Sequence, residues 1–367
     1  MGGIEHHFPL PFAGVGHSTH RDIMQPIDVQ SAGMTDTGKV RTDNQDQFLI
    51  AELNTSLNVR SGALQCAAGS RLFGGPRGYL FLVADGMGGH RGGSEASSFA
   101  VQYCANSMLN GSCWFDRDDD ASEDAFIEHL KSIFENAHRA IEERSKTAAA
   151  FQGMGTTLTM SYVDWPQMFV AHAGDTRCYL FRNNELQLIT RDHTVANEMM
   201  RKGQLDPEDV ERSHWSNVLV NALGAGAENV IPDCTKVDLQ KNDSILMCSD
   251  GLNKHVSDVQ IRRVLLDAKG PQNVCELLLE LAKQGGGSDN ITVVMATFHA
   301  QPNHRMQMFM SQPGKEAIVQ DVETPATELD TCDLEGTPLG APKAETHEEQ
   351  GGKETVDFGD FVNPDTL

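Results

Sequence analysis

The chain has 367 residues, 39% hydrophobic and 22% charged, enough to bury a substantial core in one large domain or two smaller ones. There are 52 Asp and Glu against 29 Lys and Arg, a formal charge of −23; this argues against a nucleic-acid partner, which needs a basic face. No apolar run approaches the length of a membrane span, and no basic stretch followed by an apolar core opens the chain.

Residues 1–28 hold Pro9, Pro11, several glycines and little periodicity, and read as a flexible N-terminal arm. Gly2 invites a myristoylation reading, but His6 stands where the motif wants Ser or Thr. Residues 29–300 alternate strand-like and helix-like patterns and form the expected folded domain. In that zone Tyr79–Ala84, Thr156–Val163, Met168–Ala173, Cys178–Phe181, Leu186–Thr190, Ser244–Cys248 and Ile291–Phe298 read as strands. Asn183 and Asn184 make a hairpin turn between two of them, because Asn tolerates positive φ.

Ser94 is the expected cap of a helix running through Ala100 and Tyr103. Ser122 is the expected cap of another, with the stripe Phe126, Leu130, Ile133, Phe134, Ala137 and Ile141. Pro271 to Gln284 begins with Pro and stops at Gly285, the usual helix asymmetry. Strands that follow one another through short turns predict antiparallel sheets with helices outside. Residues 301–367 carry 14 Asp and Glu against 4 Lys and Arg with no apolar period, and read as an acidic disordered tail. The eight cysteines are scattered without a CxxC pair, so reduced thiols in a cytoplasmic protein are expected.

Five aspartates fall where predicted core strands begin or end. Asp46 precedes Phe48–Ile50, Asp85 follows Ala84, Asp175 follows Ala173–Gly174, Asp250 follows Cys248–Ser249, and Asp289 precedes the strand from Ile291. Each alone reads as a turn former. Together at strand ends they would repel one another unless cations lie between them, and short carboxylates on rigid strands suit Mg²⁺ or Mn²⁺. Gly86 after Asp85 lets a backbone carbonyl approach an ion.

Other chemistries fit worse. Cys66 and Arg71 are one residue too close for a cysteine phosphatase. The run from Asp116 lacks the Gly and the final Glu of a Ca²⁺ loop. The glycines of 86–93 match neither GxGxxG nor a P-loop.

Seven segments in order give a stronger signal: Gly38–Asp46, Val83–His90, Gly153–Thr157, His172–Arg177, Arg191–Thr194, Ser249–Gly251 and Gly287–Asn290. In these the chain resembles the protein phosphatase 2C family, in its bacterial form, over residues 29 to 298. The resemblance implies an α+β fold, a four-layer α-β-β-α sandwich of two antiparallel sheets flanked by helices. It implies hydrolysis of phosphoserine and phosphothreonine in proteins by a water activated between two Mg²⁺ or Mn²⁺ ions, with a third, weaker ion shared by Asp175 and Asp250.

It further implies that Asp85 bridges the metals, that the Gly86 carbonyl, Asp250 and Asp289 are ligands, that Asp46 binds through a water, and that Asp175 serves the third ion. Arg41 is then the phosphate-binding arginine, against the plainer reading of an ion pair with Asp43 or Asp46. His90 is the leaving-group histidine, against the plainer reading of a polar loop residue. Gln45, where many members carry Glu, removes one negative charge. A flap over about 195–230, holding His214 and Trp215, is implied for substrate access, with His214 in substrate binding. Phosphorylated proteins are the implied partners and a monomer the implied state. The rival reading is a catalytically weak pseudophosphatase that binds phosphoproteins as a regulator.

Overall fold

The computed structural model describes residues 27–58, 71–111 and 120–300. Residues 1–26 of the expected arm and the acidic tail lie outside the described residues, whereas Ile27 and Asp28, read as the end of the 1–28 arm, are strand residues paired with Ala300 and His299. Strands β1 (Ile27–Asp36), β2 (Asp46–Asn58) and β3 (Arg71–Met87) lead into helices α1 (Gly89–Asn110) and α2 (Asp120–Ser145). Next come β4 (Gly155–Thr156), β5 (Leu158–Asp164), β6 (Gln167–Ala173), β7 (Arg177–Arg182) and β8 (Glu185–Leu188). Helix α3 (Val195–Arg201) and strands β9 (Leu223–Gly224), β10 (Asp233–Asp238) and β11 (Ser244–Cys248) follow, then α4 (Asp250–Asn253), α5 (Asp258–Asp267), α6 (Pro271–Gln284) and β12 (Ile291–Ala300).

One sheet has the order β1-β12-β11-β7-β8. The other runs β10-β6-β5-β3-β4-β9, with β2 also paired to β3. Every pairing is antiparallel. The four layers follow from side-chain alternation, because successive residues of a strand point to opposite faces. On β3, Phe81 and Val83 meet Met168 and Val170 of β6, Ile245 and Met247 of β11, and Val294, Ala296 and Phe298 of β12 between the sheets. Their neighbours Leu80, Leu82 and Ala84 turn outward and pack under Ala96, Ala100 and Cys104 of α1 and Phe126, Leu130 and Phe134 of α2. Leu246 and Cys248 likewise turn to the other outer face, against Ile261 of α5 and Val274, Leu278 and Ala282 of α6. Three apolar layers therefore separate helices, sheet, sheet and helices, as the resemblance implies.

The α2 stripe is buried throughout, and Phe126 meets Tyr162 and Phe169 at ring-centroid distances of 5.4 and 5.1 Å. Asn183 and Asn184 take φ of 51° and 66° and join β7 to β8, as their tolerance of positive φ predicts.

Four details differ from the sequence reading, the first being that Ser122 lies inside α2, which begins at Asp120, and does not cap it. Helix α1 starts five residues before Ser94: Gly88 at φ 116° turns the chain into it, and Gly92 and Gly93 let it press on neighbouring backbone. The strand expected from Thr156 to Val163 is split at Thr157, whose N–H turns to the carbonyl of Asp85. Helix α5 went unread although Gln260 Oε1 accepts the Ser257 N–H at 3.0 Å, the signature of a capping box.

Candidate active site

Antiparallel register carries the aspartates to one end of both sheets. Asp46 and Asp85 are directly opposite in the β2–β3 pairing. Cys248, the last residue of β11, pairs with Arg177 at the start of β7 and with Val293 near the start of β12. Asp250, Asp175 and Asp289 lie just beyond those pairs and so emerge together. A cleft of about 630 Å³ opens there, lined by Arg41, Asp85, Gly86, Asp175, Asp250 and Asp289 among others. Asp46 sits behind it, 2% exposed.

Short-side-chain donors fix the carboxylates. Asp46 Oδ2 accepts the hydroxyls of Ser249 (2.6 Å) and Thr292 (2.7 Å), and Ser249 Oγ accepts the Thr292 N–H at 2.9 Å. The Asp85 N–H donates to Thr157 Oγ1 at 3.0 Å, while the Asp85 carbonyl accepts from Thr157 N (2.9 Å) and Thr156 Oγ1 (2.9 Å). Asn290 accepts the Gln45 N–H at 2.9 Å and donates to the carbonyls of Thr37 and Asp43, tying the Arg41 loop to β12. A Cβ on Gly86 would come within 2.1 Å of the Gly93 carbonyl oxygen, and one on Gly251 within 1.9 Å of that of Asn290. Both glycines are required by close backbone approach.

The carboxyls sit uneasily. Burial pushes Asp46 up to about 7, against the Ser249 and Thr292 hydrogen bonds. Burial, reinforced by Asp250, pushes Asp175 up to about 8. Burial and then Asp46 raise Asp85 well above the carboxylate range, and burial raises Asp250 too. Asp289 differs: burial works upward, but hydrogen bonds from Arg41 and the charge of Lys254 hold it below the usual value. Crowded carboxyls with raised pKa values are the electrostatic signature of a site that wants cations.

Two side-chain cations meet part of that demand. Arg41 Nε and Nη2 contact Asp289 at 2.8 and 3.1 Å, so its ion pair is with Asp289 and not with Asp43 or Asp46. Lys254 Nζ contacts Asp250 Oδ2 and, at 3.1 Å, Asp289 Oδ2. Among the described residues no three acidic, His or Cys side chains stand together at metal-binding distances.

Two buried oxygens, Asp46 Oδ1 and Asp250 Oδ1, have no hydrogen-bond partner. Such atoms are costly unless a ligand meets them. The donor set is all oxygen, which suits Mg²⁺ or Mn²⁺. By donor chemistry and by orphaned oxygens, the residues fit divalent ions.

The remaining predicted residues divide. Gln45 lines the cleft. His90 lies in α1, and its side chain is outside the described residues. His214 is exposed on the flap, its ring 6.3 Å from that of Trp215, and is not among the cleft residues; Asn217 and Leu219 from the same flap are. Lys254, Asn290, Ser249 and Thr292 were missed as functional candidates. For Lys254 the signal was its place four residues after Asp250, the spacing that sets two side chains on one helix face.

Residues 68–285, more than half of the chain, match the family described as Protein phosphatase 2C. The protein phosphatase PhpP of Streptococcus pneumoniae is 31% identical over 271 residues, 73% of this chain and 97% of that protein. The serine/threonine phosphatase stp of Listeria welshimeri is 32% identical over 216 residues, 59% of this chain and 83% of that protein. The crystal structure of the Mycobacterium tuberculosis serine/threonine phosphatase PstP/Ppp superposes with a TM-score of 0.59 at 30% identity, covering 74% of this chain and 99% of that one. The catalytic domain of the serine/threonine protein phosphatase PstP in complex with two manganese ions has a TM-score of 0.58 at 28% identity, covering 75% of this chain and 100% of that one. The chain belongs to the protein phosphatase 2C family, and as a member of it is a protein phosphatase.

Proposed function

We propose that this chain hydrolyses phosphoserine and phosphothreonine esters in proteins, with Mg²⁺ or Mn²⁺ held by Asp46, Asp85, the Gly86 carbonyl, Asp175, Asp250 and Asp289. The observation that carries the reading is the convergence of four of these aspartates on one cleft, with Asp46 buried behind them and two carboxylate oxygens left without partners. Divalent ions bound there supply a water of lowered pKa and charge to balance the phosphoryl oxygens.

The residues of the chain do the rest. Arg41, 54% exposed at the rim, presents a planar guanidinium that suits two phosphoryl oxygens at once. One edge of it, Nε and Nη2, holds Asp289, which leaves Nη1 and the other Nη2 hydrogen to donate to phosphoryl oxygens. The Thr156 and Thr157 hydrogen bonds fix the Asp85 backbone, so the carboxylate meets its ligand with little rearrangement. Asn217 and Leu219 border the cleft from the flap, where the peptide flanking a phosphoresidue would lie. His90 is the proposed proton donor to the departing Ser or Thr oxygen. Phosphorylated proteins are the proposed partners. No helix among the described residues is long and apolar enough to cross a membrane, and Cys104, Cys178, Cys234, Cys248 and Cys275 are free thiols, which supports a cytoplasmic setting.

The test is turnover of a phosphothreonine peptide and of p-nitrophenyl phosphate by purified protein with Mn²⁺, beside Asp85→Ala and an EDTA control. Hydrolysis that needs both Asp85 and Mn²⁺ is expected. Turnover no greater than that of Asp85→Ala would leave only a phosphoprotein-binding role.

A further inference from the structure

Asp250 and Asp289 come from different strands, one following β11 and the other preceding β12. A single ammonium joins them. Lys254 caps α4 at its C-terminal end, its N–H donating to the Asp250 carbonyl at 2.9 Å. From there its side chain folds back one helical turn to Asp250 Oδ2 and reaches across to Asp289 Oδ2 at 3.1 Å. The side chain is 24% exposed, so the contact is largely out of bulk water, where screening is weak.

Its geometry has a consequence for ion binding. Asp289 Oδ1 is taken by Arg41 and Asp289 Oδ2 is shared by Arg41 and Lys254. Asp250 offers Oδ1 without a partner, but Oδ2 is taken by the lysine. Asp250 Oδ1 is open to an ion, but an ion that takes Asp250 Oδ2 or Asp289 Oδ2 must take it from the ammonium, and at Asp289 Arg41 competes as well. The ammonium is tethered, carries one charge and is always present, whereas a divalent ion carries two and must arrive from solution. The lysine and the ion are therefore competitors for one pair of carboxylates.

We propose that Lys254 is a built-in counter-ion that clasps Asp250 and Asp289 in the metal-free protein and is displaced from them by the divalent cation, so that it sets how tightly this chain loads metal. The proposal rests on the metal centre of the proposed function. It makes Lys254 a positioning residue: it preserves the spacing of two ligands from separate strands while no ion is there to do so.

Calorimetric titration of EDTA-stripped full-length protein with Mn²⁺ tests it, using wild type, Lys254→Met, Lys254→Gln and Lys254→Arg, with metal-free melting measured alongside. Removing the charge is expected to tighten Mn²⁺ binding about tenfold, the equivalent of ~1.4 kcal/mol. The same two neutral variants should melt lower without metal and recover when Mn²⁺ is added. Lys254→Arg should stay near wild type in both readings. The use of two neutral variants guards against one of them failing to fold. Mn²⁺ affinity that is unchanged or weaker in folded Met and Gln variants overturns the role of Lys254 while leaving the metal centre intact. Wild-type protein that binds no Mn²⁺ overturns both.

Discussion

Asp46→Asn should make the metal-free protein more stable at neutral pH while weakening its response to metal. Asp46 is 2% exposed, and burial lifts its carboxyl from 3.8 to about 7. Between those values the folded state keeps a proton that the unfolded chain has released. Metal-free stability therefore falls as pH rises from about 4 to 7, the reverse of an ordinary salt-bridged aspartate. At ~1.4 kcal/mol per unit, the full effect is on the order of 4 kcal/mol above pH 7.

Asparagine keeps the geometry, because its amide oxygen can still accept the Ser249 and Thr292 hydroxyls, and its NH₂ falls where Oδ1 has no partner. Denaturant melts in EDTA at pH 4.5 and 8 give the assay. The variant should match wild type at the lower pH and gain roughly 2–4 kcal/mol at the higher, a rise in Tm of about 5 °C or more. Mn²⁺ should stabilise wild type and do less for the variant, by mass action. A variant that is equally destabilised at both pH values would refute the reasoning, since it would make Asp46 a plain hydrogen-bonding residue.

Three further outcomes follow from other parts of the structure. Arg41→Lys should lower kcat/KM on a phosphopeptide by roughly 10–100-fold, mostly through KM, because an ammonium cannot reproduce the planar fork; a change under about twofold would place the guanidinium outside phosphate binding. Arg177 forks onto Asp192 at 2.7–3.2 Å, with side chains only 14% and 11% exposed. Arg177→Gln should therefore cost about 3–5 kcal/mol in a urea melt, with part of the loss restored by also changing Asp192 to Asn. Burial, aided by the nearby His193, pushes His172 down to about 4, and its ring is held between Thr159 Oγ1 and the Arg191 carbonyl. The unfolded chain gains that proton near pH 6.5 and the folded protein does not, so stability is whole above pH 6.5 and falls by about 3 kcal/mol on the way to pH 4; His172→Gln should flatten that limb of an acid titration.

Much of this was legible in the chain. Strand alternation and the α2 stripe identified the core, because burial imposes a period on the sequence wherever an element has one wet face. The five aspartates were conspicuous because each stands where an apolar run begins or ends, most of them beside Gly, Ser or Asn. What could not be read was set by pairing. Nothing local says that Asp46 faces Asp85; the register of β2 on β3 decides it. Lys254 escaped notice because α4 has only four residues and shows no period. The extent of α1 was misread because its first turn is rich in Gly, which propensity counts against a helix, while tertiary contact at Gly92 and Gly93 favours it. Over 195–230 only the resemblance pointed to His214, yet Asn217 and Leu219 reach the cleft, where Leu219 is bridged to Thr194.

The charge count of the cleft explains why one fold would need both its aspartates and an external ion. Asp43, Asp46, Asp85, Asp175, Asp250 and Asp289 carry six negative charges when ionised, and Arg41 and Lys254 return two, which leaves −4. A phosphate dianion approaching that sum is repelled, most strongly where burial weakens screening. Two divalent ions would bring the same cleft to zero, and in the proposed function Arg41 at the rim would then bias it toward phosphate. The aspartates are thus poor company for one another and for the substrate until ions arrive. Burial first, and then the neighbouring carboxylates, hold the Asp46 and Asp175 carboxyls above the usual range. In this reading the hydroxyls of Ser249, Thr292 and Thr157 and the amide of Asn290 hold the strained arrangement in place at some cost to stability. That cost is recovered only when metal binds, which is why the variant that stabilises the metal-free protein is expected to be the one that responds least to manganese.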